Sequence, residues 1–110
     1  MGISTHILDT TKGKPARGVT VSLELLDGAT WRRIGEGVTN DDGRVKPLLD
    51  VIPKEGTYRI RFEVGAYFKD AQQEAFFPAV SIEFAVHSTK EHYHLPLLLN
   101  PFGYSTYRGS

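Results

Sequence analysis

The sequence predicts a mainly β protein, an antiparallel sandwich of about seven or eight short strands with one short helix. Three observations carry that expectation. Apolar and polar residues alternate with a period of two along most of the chain, turn residues cut these runs to strand length, and helical spacing occurs in a single stretch. Near the N-terminus Ile3 and Ile7 share one face, while Ser4, His6 and Leu8 share the other. Val19, Val21, Leu23 and Leu25 alternate with Thr20, Ser22 and Glu24. Turns follow at Asp27-Gly28 and Asp42-Gly43 and in the loop Pro53-Lys54-Glu55-Gly56. Tyr58, Ile60, Phe62 and Val64 alternate with Arg59, Arg61 and Glu63. Phe68, Ala71 and Ala75 recur at helical spacing, and Pro78 ends the stretch, so the helix is expected within residues 68–75. Val80, Ile82, Phe84 and Val86 then alternate with Ser81, Glu83 and Ala85. Finally Tyr93, Leu95, Leu97 and Leu99 share a face opposite His92, His94, Pro96 and Leu98.

A chain of 110 residues, with 40% hydrophobic and 24% charged residues, suits one globular domain spanning 1–110. Lysine plus arginine equals aspartate plus glutamate at 13 each, and this balance argues against a nucleic-acid partner. There is no cysteine, so disulfide scaffolds and thiolate metal sites are excluded. The start, Met1-Gly2-Ile3-Ser4-Thr5-His6, has neither the basic residues nor the apolar stretch of a secretion signal. No apolar run approaches the roughly 20 residues that cross a bilayer. The chain therefore reads as soluble and cytoplasmic, without a membrane partner.

Two strands depart from clean alternation. The second faces of 3–9 and 92–99 mix leucine with histidine where other strands place Ser, Glu and Arg. A part-apolar outer face is one that another subunit covers, so the sequence suggests an oligomer with histidines at its interface. Taken alone, His6 reads as a partly buried histidine bonded to backbone; its imidazole also suits proton transfer near neutral pH. His92 and His94 lie on one strand face, about 6.6 Å apart at a rise of ~3.3 Å per residue. Such a pair can form half of a zinc site, but no cysteine or carboxylate ligand accompanies it. Arg44 follows the Asp41-Asp42-Gly43 turn, either as a surface partner of an aspartate or as a planar fork for substrate oxygens. Trp31 reads as packing. The aromatic C-terminus, from Pro101 to Ser110, reads as docked rather than frayed.

Together these residues resemble the transthyretin-like hydrolase family across nearly the whole chain. The segments that carry the likeness are Thr5-His-Ile-Leu-Asp9, Gly13-Lys-Pro-Ala16, Thr39-Asn-Asp-Asp-Gly-Arg44, Phe76-Phe-Pro78 and His92-Tyr-His-Leu-Pro-Leu-Leu98. The most specific is Tyr107-Arg-Gly-Ser110, which distinguishes the hydrolases from transthyretin itself. The resemblance implies a transthyretin-like sandwich of two four-stranded sheets with one short helix. It also implies homotetramers with sites in clefts between dimers. It places His6, Arg44 and His94 as catalytic residues, with His6, Arg44, Tyr107 and Ser110 holding substrate and His92 in support. The implied reaction is hydrolysis of 5-hydroxyisourate by water attack on a ring carbonyl, with no cofactor and no metal. The rival readings are a ligand carrier, an adhesive sandwich domain and a zinc hydrolase. The adhesive domain would keep polar outer faces on every strand, and strands 3–9 and 92–99 do not.

Overall fold

The computed structural model describes residues 2–49, 53–87 and 91–110. Along the chain run β1 (Ile3–Asp9), β2 (Lys14–Pro15), β3 (Thr20–Asp27), β4 (Thr30–Val38), β5 (Arg44–Leu49), β6 (Gly56–Phe62), α1 (Val64–Asp70), β7 (Val80–Val86), β8 (Tyr93–Asn100) and β9 (Gly103–Thr106). The expected mainly β sandwich is what these elements form, but not the antiparallel pairing throughout that alternation suggested, since β1 and β8 lie parallel. One sheet has the order β4-β3-β6-β7, antiparallel throughout. In the other, β1 runs parallel to β8, and β9 returns antiparallel beside β8. The remaining edge of β1 is shared: β5 pairs with its first half and the two-residue β2 with its end. That sheet is thus four strands wide but has five members.

Alternation explains the core. Ile3, Ile7, Leu97 and Leu99 face Val21, Leu23, Ile60 and Phe62 between the sheets, and all eight are buried. Along β1 the burial alternates strictly, with Ser4, His6 and Leu8 half-buried on the outer side. Asp9 also points inward and is fully buried. Its Oδ1 accepts hydrogen bonds from the Thr11 and Lys12 amides at 3.0 and 3.3 Å, and its Oδ2 accepts the Tyr67 hydroxyl at 2.7 Å. A buried carboxylate so satisfied is a structural pin for the β1–β2 loop. Burial first, and then the bond to Asp9, raises the Tyr67 phenol above its ordinary range. Thr39 has a similar structural part: its hydroxyl accepts the Val19 amide at 2.9 Å and donates to the Ala16 carbonyl at 2.7 Å.

The helix differs from expectation. It covers Val64–Asp70, so the strand-like run ends at Phe62, and Val64 and Phe68 form the buried stripe at i, i+4. It ends in a Schellman turn: Gln72 takes φ +58°, its amide bonds the Lys69 carbonyl at 3.0 Å, and the Gln73 amide bonds the Phe68 carbonyl at 2.8 Å. The usual signal of such a turn is glycine. Here glutamine occupies the left-handed position, and the boundary is invisible to a reading of spacing alone. Ala75 packs against the core from outside the helix. Trp31, read as packing, lies beneath the Arg59 guanidinium at 4.2 Å. No helix among the described residues is long and apolar enough to cross a membrane.

Candidate functional site

Strand register gathers the candidate residues. The turn after β4 is built by Asn40, whose side-chain oxygen accepts the Asp42 and Arg44 amides at 2.9 and 3.1 Å. Gly43 closes it at φ +72°, with its amide on the Asn40 carbonyl at 2.9 Å and its own carbonyl taking the Ile7 amide at 2.8 Å. A side chain at Gly43 would run into the Ile7 carbonyl, so glycine is required there twice over. The turn leaves Arg44 directly opposite His6. On the other side of β1, His6 is level with Pro96 and Ser4 is level with His94. Ser4, His6, His94 and Pro96 therefore project from one outer face, and Arg44 joins them from β5.

His94 is held on three sides. Ser4 Oγ lies 2.8 Å from its Nδ1 and, at the same time, 2.8 Å from His92 Nε2. Along the strand edge, the Gly109 amide donates to the His94 carbonyl at 2.8 Å in an antiparallel bridge. A Cβ at Gly109 would sit 2.7 Å from the ring carbon Cδ2 and 3.2 Å from Pro96 Cγ. The terminal segment can lie against the imidazole only because residue 109 has no side chain. Arg108 fastens that segment, with its guanidinium 4.5 Å over the Tyr93 ring and 3.3 Å from the Glu91 carboxylate.

The electrostatics are one-sided. Burial, and then the Arg44 charge, lowers the pKa of both His6 and His94. For His6 the Asp42 backbone and charge pull the other way; for His94 the neighbouring His6 and His92 add to the lowering. Both shifts favour the neutral ring. Among the described residues Arg44 has no carboxylate partner, since Asp41 is taken by Arg17 at 3.0 Å. Two neutral imidazoles beside an unpaired guanidinium can take a proton from water and hold an anionic oxygen. Among the described residues, no group of three His, Cys, Asp or Glu side chains is disposed to hold a metal ion.

The other expected site residues are placed differently. Ser110 follows Gly109 at the His94 end and is exposed. Tyr107 is 58% exposed in the single chain and borders a cavity of about 290 Å³ with Tyr93, Leu95, Ile82 and Phe84. Tyr93 and Leu95 face inward, so this cavity lies on the side of β8 away from His94. Ser4 is the residue that the sequence reading passed over. Its position two before His6 put it on the right face, but the partner it meets depends on the parallel pairing with β8.

Fold and outer face first define a class: a two-sheet sandwich with a histidine–arginine cluster on one sheet. The family model of the HIUase/Transthyretin family matches residues 3–109. A 5-hydroxyisourate hydrolase of Salmonella dublin is 47% identical over 109 residues, which is 98% of this chain and 80% of the relative. Among solved structures, the 5-hydroxyisourate hydrolase of Klebsiella pneumoniae matches with a TM-score of 0.85 at 42% identity, over 98% of both chains. A sea bream transthyretin in complex with thyroxine reaches a TM-score of 0.93 at 31% identity, over 97% of this chain and 93% of that one. The chain belongs to the HIUase/Transthyretin family, and by sequence it stands nearer to these hydrolases than to that transthyretin. It is a hydrolase-type enzyme. Backbone likeness ranks the neighbours the other way round, so the outer-face residues, not the fold, must separate enzyme from carrier.

Proposed function

We propose that the protein hydrolyses 5-hydroxyisourate to 2-oxo-4-hydroxy-4-carboxy-5-ureidoimidazoline, in the degradation of urate. The observation that carries this reading is the convergence of His6, His94 and the unpaired Arg44 on one half-buried face. Water attacks a ring carbonyl carbon, a neutral histidine takes its proton, and the tetrahedral oxygen becomes anionic. Arg44 stabilises that charge with two parallel N–H groups. The carbonyl carbon–nitrogen bond then breaks, and the proton passes to the departing ring nitrogen. Each part is of familiar size: general-base help contributes roughly 10²–10⁴-fold, and one oxyanion donor about 10²–10³-fold. The chemistry needs positioning and proton transfer, so neither a metal nor another cofactor has a part in the proposal.

His6 and Arg44 also hold the substrate, and Ser110 closes the His94 end of the cleft. Tyr107 contributes by anchoring the terminal segment that brings Gly109 and Ser110 to the site. Leu8 and Leu98 lie half-buried on the same outer face as the histidines. That composition supports a homotetramer in which a second subunit covers the face and completes the cleft. The whole chain, 1–110, acts as one domain in this reading, and its setting is the cytoplasm.

The test is direct. Purified protein without added metal should accelerate the decay of freshly generated 5-hydroxyisourate, followed by ultraviolet absorbance. Decay at the spontaneous rate would overturn the proposal and leave the carrier reading. Light scattering at micromolar concentration should report four copies; a monomer would remove the shared cleft.

A further inference from the structure

One hydroxyl holds two imidazoles in this protein. Ser4 Oγ is 2.8 Å from His94 Nδ1 and 2.8 Å from His92 Nε2. A serine hydroxyl has one proton to donate, so it gives to one ring and accepts from the other. The two rings are thereby coupled. If His92 Nε2 accepts, His94 carries its proton on Nδ1, and neutral His94 then presents a bare Nε2. If His92 Nε2 carries a proton, Ser4 donates to His94 Nδ1 instead, and neutral His94 holds its proton on Nε2, where it can take no other. A flip of the ring would forfeit the Ser4 bond.

In many sites a carboxylate fixes the tautomer of a working histidine. Among the described residues no carboxylate pairs with His92 or His94. The charged and titratable groups around His94 are Arg44 on β5, His6 on β1 and His92 beside it, and all three oppose a second proton on its ring. Among the described residues, Ser4 is the hydrogen-bond partner of a ring nitrogen of His94, and through it His92 bears on which nitrogen holds the proton.

We propose that Ser4 and His92 are positioning residues for the hydrolysis: Ser4 transmits the protonation state of His92 to His94 and holds His94 with Nδ1 protonated and Nε2 bare. The role given to Nε2, taking the proton of the attacking water, rests on the function proposed above; the coupling itself does not.

Nitrogen-15 spectra of histidine-labelled protein distinguish the two tautomers and need no substrate. At pH 8 the wild type should show His94 protonated at Nδ1. Ser4→Ala should give mixed tautomers and a kcat lower by about ten- to a hundredfold, with KM within roughly twofold. Ser4→Thr, which keeps the hydroxyl, should recover both the tautomer and most of the rate, and it guards against a folding defect in Ser4→Ala. His92→Asn should also mix the tautomers. The same His94 tautomer in wild type and Ser4→Ala, or a wild-type ring protonated at Nε2, would overturn the proposal. A tautomer that shifts in Ser4→Ala while kcat on 5-hydroxyisourate does not would uphold the coupling and instead remove His94 as the base.

Discussion

The two sheets turn their outer faces to very different use. On the β3–β6 face charges cancel locally. Glu24 and Arg59 are cross-strand partners joined at 2.8 Å, and Arg61 meets Glu63 at 2.6 Å. On the β1–β8 face Arg44 lacks a carboxylate, two histidines are held neutral, and leucines lie half-buried beside them. Cross-strand pairing is the same device in both, since Arg44 faces His6 as squarely as Arg59 faces Glu24. A neutralised arginine stabilises a sheet, whereas an unneutralised one retains its charge for a ligand.

Substitutions can break that contrast, and the largest effects belong to the β1–β8 face. His94→Asn and His6→Asn should each lower kcat/KM by roughly 10²–10⁴-fold with an unchanged circular dichroism spectrum. Arg44→Lys should cost about 10²–10³-fold, because an ammonium cannot reproduce the two-pronged contact. His92→Asn should be milder than His94→Asn, acting on tautomer and not on the base itself. Equal losses in the two, with both folded, would reverse the roles assigned within the pair.

The terminal segment comes next. Ending the chain at Thr106 should abolish turnover while the sandwich stays folded, since it removes residues beyond the last strand. Gly109→Ala is the finer probe: its Cβ meets the His94 ring, so kcat should fall while the thermal midpoint moves little. Near-normal turnover in the truncated protein would show the segment to be an ordinary terminus.

A third effect appears in the pH profile. His6 and His94 both titrate below the ordinary imidazole value of 6.5. Activity that needs neutral rings should therefore hold through pH 6.5 and fall only below it. Stability has its own dependence. The unfolded chain takes up protons at 6.5 before the folded one does, so stability declines as pH drops through that value toward the lowered ones. An acid limb of kcat/KM centred above 6.5 would contradict the arrangement.

The smallest effect lies on the other face. Glu24→Gln should cost about 1 kcal/mol or less in urea unfolding and leave kcat/KM unchanged. A rate effect as large as that of Arg44→Lys would erase the distinction between the two sheets.

Much of this fold was legible in the sequence because each face of a half-buried strand meets one medium. β1, β3, β6, β7 and β8 all follow from alternation. β4 does not, because Thr30–Val38 lies at an edge with no residue fully buried and pairs with β3 through a register shift at Leu23/Glu24. β2 is two residues long and has no pattern to read. The helix was displaced because Gln72 does the work expected of glycine. For the site, the sequence alone placed His6 and His94 on mixed faces and left Arg44 between a surface ion pair and a substrate contact, a choice that the likeness to a family made. What neither could show is register. The Asn40–Gly43 turn decides that Arg44 stands opposite His6, and the parallel alignment of β1 with β8 decides that Ser4 meets His94.

That parallel alignment also dictates when the chemistry can first exist. The bonds from Ser4 to the two histidines span 88 and 90 positions of the chain. Synthesis adds roughly 5–20 residues per second, so β1 waits several seconds for its neighbour, with one long edge unpaired. Contacts this distant in sequence close late and make folding slow. During the wait β5 and β2 can dress only the opposite edge of β1. Catalytic competence thus arrives late, because the step that pairs the open edge of β1 is also the step that brings Ser4 to the two histidines.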